Sequence, residues 1–183
     1  GCGDGSLMLL MKNGGIEKVK GIEISKSGVT ACRKKGLDAS EGRIDVKLPF
    51  EDNEFDVAVC NVTLQMVMYP EVLISEMLRI SKKQIFTFPN FAFAANRVDI
   101  LLNGRMPRFM IPGYKWYSTG HIHQLSINDF CDYCRENEID IIRTDHIFPE
   151  VFRIKFLTIS QVIIRRCPNL FASTGVFITK NGK

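Results

Sequence analysis

No apolar run in these 183 residues approaches the ~18 that cross a bilayer. The densest, Leu7-Met8-Leu9-Leu10-Met11, ends at Lys12. Charge of one sign is also scarce. The 24 basic and 20 acidic residues leave a net charge of +4, too mild to point to nucleic acid. There is no internal repeat and no low-complexity tract, which argues against solenoids and flexible linkers. The opening residues, with Asp4 among glycines, lack the basic-then-apolar pattern of an export leader. The expectation is a cytoplasmic protein with neither nucleic acid nor membrane as partner.

Disulfides are not needed either, although the cysteines number six, at 2, 32, 60, 131, 134 and 167. A chain of this length with 45% hydrophobic residues buries a core without staples. Cys60 sits in an apolar strand and reads as a small core residue. Cys131 and Cys134 resemble a metal or redox spacing, but they fall on a predicted helix with only His121 and His123 as nearby soft ligands. They read as two small residues on one helix face, and no metal is expected.

What is present is an alternation of helix and strand, the pattern of an α/β sheet. The periodicity predicts a helix from Ser6 to Lys12, a strand from Val19 to Ile24, a helix from Lys26 to Lys35 and a weak strand around 38–45. Phe55 to Cys60 reads as a buried strand. Pro70 suits the first turn of the next helix, and Arg79, Lys82 and Lys83 read as its basic C-terminal end. Gln84 to Phe88 is a strand, Ala92 to Leu102 a helix, 127–137 a helix, and 139–145 and 174–179 strands. No boundary divides the chain, so 1–183 reads as one domain with an inserted aromatic and proline-rich loop at about 103–125.

The chemistry begins at Gly1-Cys2-Gly3-Asp4-Gly5. Glycines before a helix let the backbone approach a ligand and adopt positive φ, and the helix N-terminus offers free N–H groups. A dinucleotide fingerprint requires a glycine where Ser6 stands, and Asp4 would sit badly against a pyrophosphate. The form suits the amino-acid end of S-adenosylmethionine better. Glu23 ends the next strand, where a carboxylate can accept two ribose hydroxyls.

These blocks, with Gly21-Ile22-Glu23-Ile24, Leu48-Pro49-Phe50 and Phe55-Asp56, resemble the class I S-adenosylmethionine-dependent methyltransferases. Thr63-Leu64-Gln65, Glu76-Met77-Leu78-Arg79, Phe88-Pro89-Asn90-Phe91, Gly104-Arg105-Met106-Pro107, Trp116-Tyr117, Ile122-His123, Asp129-Phe130 and Pro168-Asn169-Leu170-Phe171-Ala172 narrow the resemblance to the MetW family of methionine-biosynthesis proteins. It implies a Rossmann-like α/β fold, a seven-stranded and mostly parallel sheet with helices on both faces. In that family the glycine turn follows the first, central strand, so the resemblance implies that this strand is missing from the chain as it stands. It also implies S-adenosylmethionine as cofactor and homoserine O-acetyltransferase (MetX) as the protein it works with. The alternative is an active methyltransferase on an unknown small-molecule acceptor.

Residue by residue, the resemblance places Gly1, Gly3 and Gly5 against the methionine part of the cofactor and Glu23 against the ribose. Asp45 is the candidate acid for the adenine, although Arg43 stands where that acid is expected. Asn61 follows the fourth strand of the family's order and would face the cofactor, or else stabilise a turn. Ala92-Phe93-Ala94 and Gly120-His121 depart from the family's pattern, so acceptor choice does not carry over.

Catalytic candidates are weak. His121 and His123 are titratable and share a loop with Tyr114, Trp116 and Tyr117, aromatics that fit a lid, a packing plug or an interface. Arg97, Arg105 and Arg108 form a loose basic cluster that fits a solvated surface, a carboxylate ligand or an acidic partner. Ile163 to Arg166 reads as an exposed helix end.

Overall fold

Glycines and capping residues set the first half of the chain. The structure, a computed structural model, describes residues 1–108, 113, 115–117, 120–149 and 165–182. Tyr114 and the pair Ile163-Ile164 lie outside the described residues. Helix α1 (Ser6–Asn13) starts after Gly5 in the left-handed region and ends on Gly14. Strand β1 (Lys20–Glu23) leads to α2 (Lys26–Lys34), whose N-cap Ser25 accepts the Gly28 N–H. Gly36, at φ 69, turns the chain into β2 (Asp38–Glu41). Strand β3 (Phe55–Asn61) is followed by a 3-10 turn (Leu64–Met66) and α3 (Pro70–Ile80), with Pro70 in its first turn.

One expectation is corrected here. Helix α3 ends at Ile80, and β4 (Ser81–Pro89) begins at once, so Lys82 and Lys83 lie on a strand and not at a basic helix end. Side chains replace the missing loop. Ser81 Oγ donates to the Met77 carbonyl at 2.7 Å, and Gln84 Nε2 donates to the Ser81 carbonyl at 2.9 Å. Lys82 instead pairs across the strands with Asp56 at 2.7 Å.

The chain continues through α4 (Ala94–Asn103), α5 (Ile127–Glu136), β5 (Ile139–Ile147), the single turn α6 (Pro168–Phe171) and β6 (Thr174–Asn181). Ser126 and Asp129 form a reciprocal capping box at the start of α5.

Six strands among the described residues form two sheets, where one seven-stranded sheet was expected. β1 and β2 pair in parallel. The second sheet has the order β3-β4-β6-β5, with β3 parallel to β4 and β6 antiparallel to both its neighbours. β1 and β3 make no ladder to each other. Gly1 and Cys2 lie between their C-terminal ends. There Cys2 N–H donates to the Ile22 carbonyl at 3.1 Å, and Thr63, just past β3, closes on Gly1.

The larger core lies on the four-stranded sheet. Phe86, Phe88 and Phe177 are fully buried and meet Phe130 of α5, with ring centroids 4.8–5.3 Å from it. Cys60 and Cys134 belong to this core, and burial pushes the Cys134 thiol up to about 12. A smaller core under the two-stranded sheet joins Met8, Cys32, Leu37 and Ala39. Among the described residues no helix is long and apolar enough to cross a membrane.

Candidate functional site

The glycine turn is built by close approach. Gly3 has φ 57 with open space beside its Cα, and Gly5 has φ 78. A Cβ on Gly5 would stand 2.6 Å from Leu37 Cδ1 and 2.8 Å from Cys32 Sγ, so Gly5 faces the small core. Asp4 folds back onto its own turn. Its carboxylate takes the Lys35 ammonium and the Ser6 hydroxyl, both at 2.8 Å, and the Ser6 N–H at 3.0 Å. Lys35, then Ser6, hold that carboxyl well below the usual range.

Glu23 ties this turn to β1 and α2. Its Oε2 accepts the Gly3 N–H at 2.8 Å, and its Oε1 accepts the Ser25 N–H at 3.0 Å. The side chain is buried, so it is not a solvated strand end. Gly28 makes the approach of α2 possible. A Cβ there would lie 2.8 Å from Gly3 O and 2.9 Å from Glu23 Cγ.

A cleft of ≈ 500 Å³ opens beside the turn. One wall is Gly1, Gly3, Glu23 and Ile24, and a second is Gly42 to Asp45. Thr63 and Met66 to Met68 form a third wall, with Gly120 and Ile122 at its edge. The third wall hangs on backbone bonds. The Gln65 carbonyl accepts the N–H of Ile122 at 2.9 Å and of His123 at 3.0 Å. Val62 sits at φ 51, a left-handed value that a β-branched residue adopts only under strain. Its N–H donates to Thr87 O and Thr87 Oγ1, which holds it there.

Of the residues singled out from sequence, Gly1, Gly3, Glu23 and Asp45 line the cleft, and Gly5, Asn61, His121 and His123 do not. Asp45 is buried and already carries four donors. Arg43 reaches it through Nε and Nη2, both at 2.9 Å, and Met68 N–H and Tyr69 N–H reach it at 3.0 and 3.3 Å. The Arg43 guanidinium, foremost, holds the Asp45 carboxyl down at about 2. Asn61 is exposed, and its Oδ1 accepts the Thr87 hydroxyl at 2.6 Å. Gly120 and Ile122 face the cleft, and the intervening His121 packs edge-on to Phe91. Burial pushes the His121 imidazole below its ordinary value.

Sequence reasoning missed Gly28, Thr63 and the Met66–Met68 wall. A mid-helix glycine was the visible signal for the first. Among the described residues no three His, Cys, Asp or Glu side chains converge on a possible metal position.

Strand order, glycine turn and cleft together define the fold of S-adenosylmethionine-dependent methyltransferases. A SAM-dependent methyltransferase of Methanosarcina mazei matches with TM-score 0.66 and 16% identity, over 99% of this chain and 89% of that one. The [4+2]-cyclase SpnF matches with TM-score 0.65 and 16% identity, over 99% and 73%. The model of the methionine biosynthesis protein MetW matches residues 1–179, and the chain belongs to that family. It is also 28% identical over 163 residues to the bifunctional methionine biosynthesis protein MetXA/MetW of Rhodopirellula baltica. That match covers 82% of this chain and 26% of the relative, so the chain spans about a quarter of the relative's length.

Proposed function

We propose that this protein binds S-adenosylmethionine in the cleft and serves methionine biosynthesis as a subunit that acts with homoserine O-acetyltransferase. The observation that carries the reading is the Glu23 carboxylate. It is buried in the cleft wall and holds one backbone N–H on each oxygen. A carboxylate has about four acceptor positions, so two remain for a pair of vicinal hydroxyls. The volume of ≈ 500 Å³ suits a nucleoside-sized ligand.

Gly1 and Gly3 would hold the amino-acid end, and Glu23 the ribose. Ile44, Met66 and Met68 offer an apolar slot for the purine. Asp45, with four donors in place, acts as the holder of the Met68–Tyr69 backbone. Gly5 serves by packing, and Asn61 by fixing the end of β3.

S-adenosylmethionine, when bound, supplies an electrophilic methyl group on a sulfonium. Among the described residues the titratable side chains of the lining are Glu23, Arg43 and Asp45. The partner half of the reading is supported by the Rhodopirellula relative, whose name joins MetXA and MetW in one bifunctional protein. Such fusion gives two modules a high effective concentration.

Calorimetry with S-adenosylmethionine tests the cofactor half. Wild type gives a saturable heat, and Glu23→Ala weakens binding at least ~10-fold by removing charged acceptors. An absent heat in wild type overturns it. Acyltransferase assays with and without this protein test the partner half.

A further inference from the structure

Helix α4 is amphipathic the wrong way round. In Ala94–Asn103, helical spacing sets Val98, Leu101 and Leu102 on one stripe and Asn96, Asp99 and Asn103 on the opposite one. A surface helix ordinarily turns its apolar stripe inward. Here Asn96 is fully buried and Asp99 is 4% exposed, whereas Val98, Leu101 and Leu102 are 52%, 81% and 73% exposed.

Specific bonds hold the helix in this orientation. Asn96 Nδ2 donates to the Phe91 carbonyl at 3.1 Å, and its Oδ1 accepts the Arg108 N–H at 3.0 Å. Asp99 accepts Asn103 Nδ2 at 2.8 Å and Arg108 Nε at 3.0 Å. Rotating the leucines inward would break the three of these that leave the helix, to Phe91 and to Arg108, while the Asp99–Asn103 bond lies within it. The polar side is thus the docked side, and the aliphatic stripe is presented outward.

We propose that the Val98–Leu101–Leu102 stripe is the docking surface for the acyltransferase, and this rests on the partner reading given above. Aliphatic anchors at i, i+3 and i+4 are what a helix lays into an apolar groove. The occupant is argued from two observations. The Rhodopirellula relative is named for both MetXA and MetW, which puts the two modules in one molecule. The stripe is also flanked by exposed Arg97, four residues before Leu101 on the same helix. A two-fold contact between copies of this chain sets like-charged rims against each other, whereas an aliphatic groove with an acidic rim complements them.

The test is a binding titration of the purified full chain against homoserine O-acetyltransferase from the same organism. Three proteins are compared: wild type, L101E/L102E and L10E, the last placing the same charge on an exposed leucine of α1. The proposal expects L101E/L102E to bind at least 30-fold more weakly and L10E to bind as wild type. All three keep one unfolding midpoint, since the substituted side chains are exposed. Wild-type binding that survives L101E/L102E overturns the surface and leaves the partner reading standing. Absence of wild-type binding overturns both. Sedimentation that finds wild-type dimers lost in L101E/L102E, with no acyltransferase bound, assigns the stripe to a second copy and overturns the proposal.

Discussion

Arg43 grips Asp45 through two parallel bonds of 2.9 Å, and the same carboxylate carries the backbone N–H groups of Met68 and Tyr69. One side chain thereby joins two walls of the cleft. Its carboxyl is held at about 2, chiefly by Arg43, below the unfolded value of ~3.9. The sign follows from that depression. The stabilisation is complete above about pH 4 and is lost as pH falls towards 2. Asp45→Asn keeps the shape and removes the charge, so it lowers the unfolding free energy at pH 7 by about 1–3 kcal/mol. The gap to wild type stays constant from pH 7 to 5 and narrows below about 4. Urea titrations at pH 7, 5 and 3 check this, and an unchanged gap at pH 3 removes charge as the cause.

Gly28→Ala places a methyl group 2.8 Å from the Gly3 carbonyl oxygen. That oxygen is backbone and cannot swing aside, so α2 must shift away from the glycine turn. The expected cost is about 1–3 kcal/mol of stability, together with loss of ligand affinity because Glu23 moves too. Gly36→Ala is the control. It strains a φ of 69 with nothing within 4 Å, so it costs stability alone. Thermal unfolding and calorimetry on both variants separate the two effects.

The contrast between Gly28 and Glu23 shows what the sequence could and could not tell. The place of Glu23 in the cleft wall was legible because it depends on order along the chain, a carboxylate ending the strand after a glycine turn. Gly28 was not, because a helical glycine reads only as a weak helix former until its neighbours in space are known. The Thr63–Met68 wall escaped for a related reason. It depends on Val62 at φ 51, and local propensity argues against a β-branched residue there. The direct passage from α3 into β4 was hidden by Lys82 and Lys83, which fit a helix end as well as a strand. The reversed polarity of α4 was equally invisible, since the period of a stripe does not say which side faces the core.

Gln84 and Thr179 are both fully buried, and the Thr179 hydroxyl donates to Gln84 Oε1 at 3.0 Å between β4 and β6. Thr179→Val preserves shape but strands a buried acceptor, with an expected cost of about 1–3 kcal/mol. Gln84→Leu removes that acceptor but also the Nε2 bond to the Ser81 carbonyl, so the double variant costs less than the sum of the two single losses. A double-mutant cycle by urea unfolding measures the coupling, and strict additivity rules out the bond as the source.

His121 and His123 serve as a probe of whether chemistry occurs in the cleft. Neither lines it, whereas Ile122 between them does. The consecutive N–H groups of Ile122 and His123 are both fixed to the Gln65 carbonyl. The bonds that position Ile122 are therefore independent of either imidazole. Burial also lowers the His121 pKa, which keeps its ring neutral at pH 7. His121→Ala and His123→Ala are expected to bind S-adenosylmethionine within about twofold of wild type, and Ile122→Ala to bind it more weakly through lost apolar contact. Calorimetry between pH 5 and 8 gives the comparison. A binding constant that follows the His121 titration, or a loss confined to the histidine variants, would bring an imidazole into the cleft and favour the methyltransferase reading.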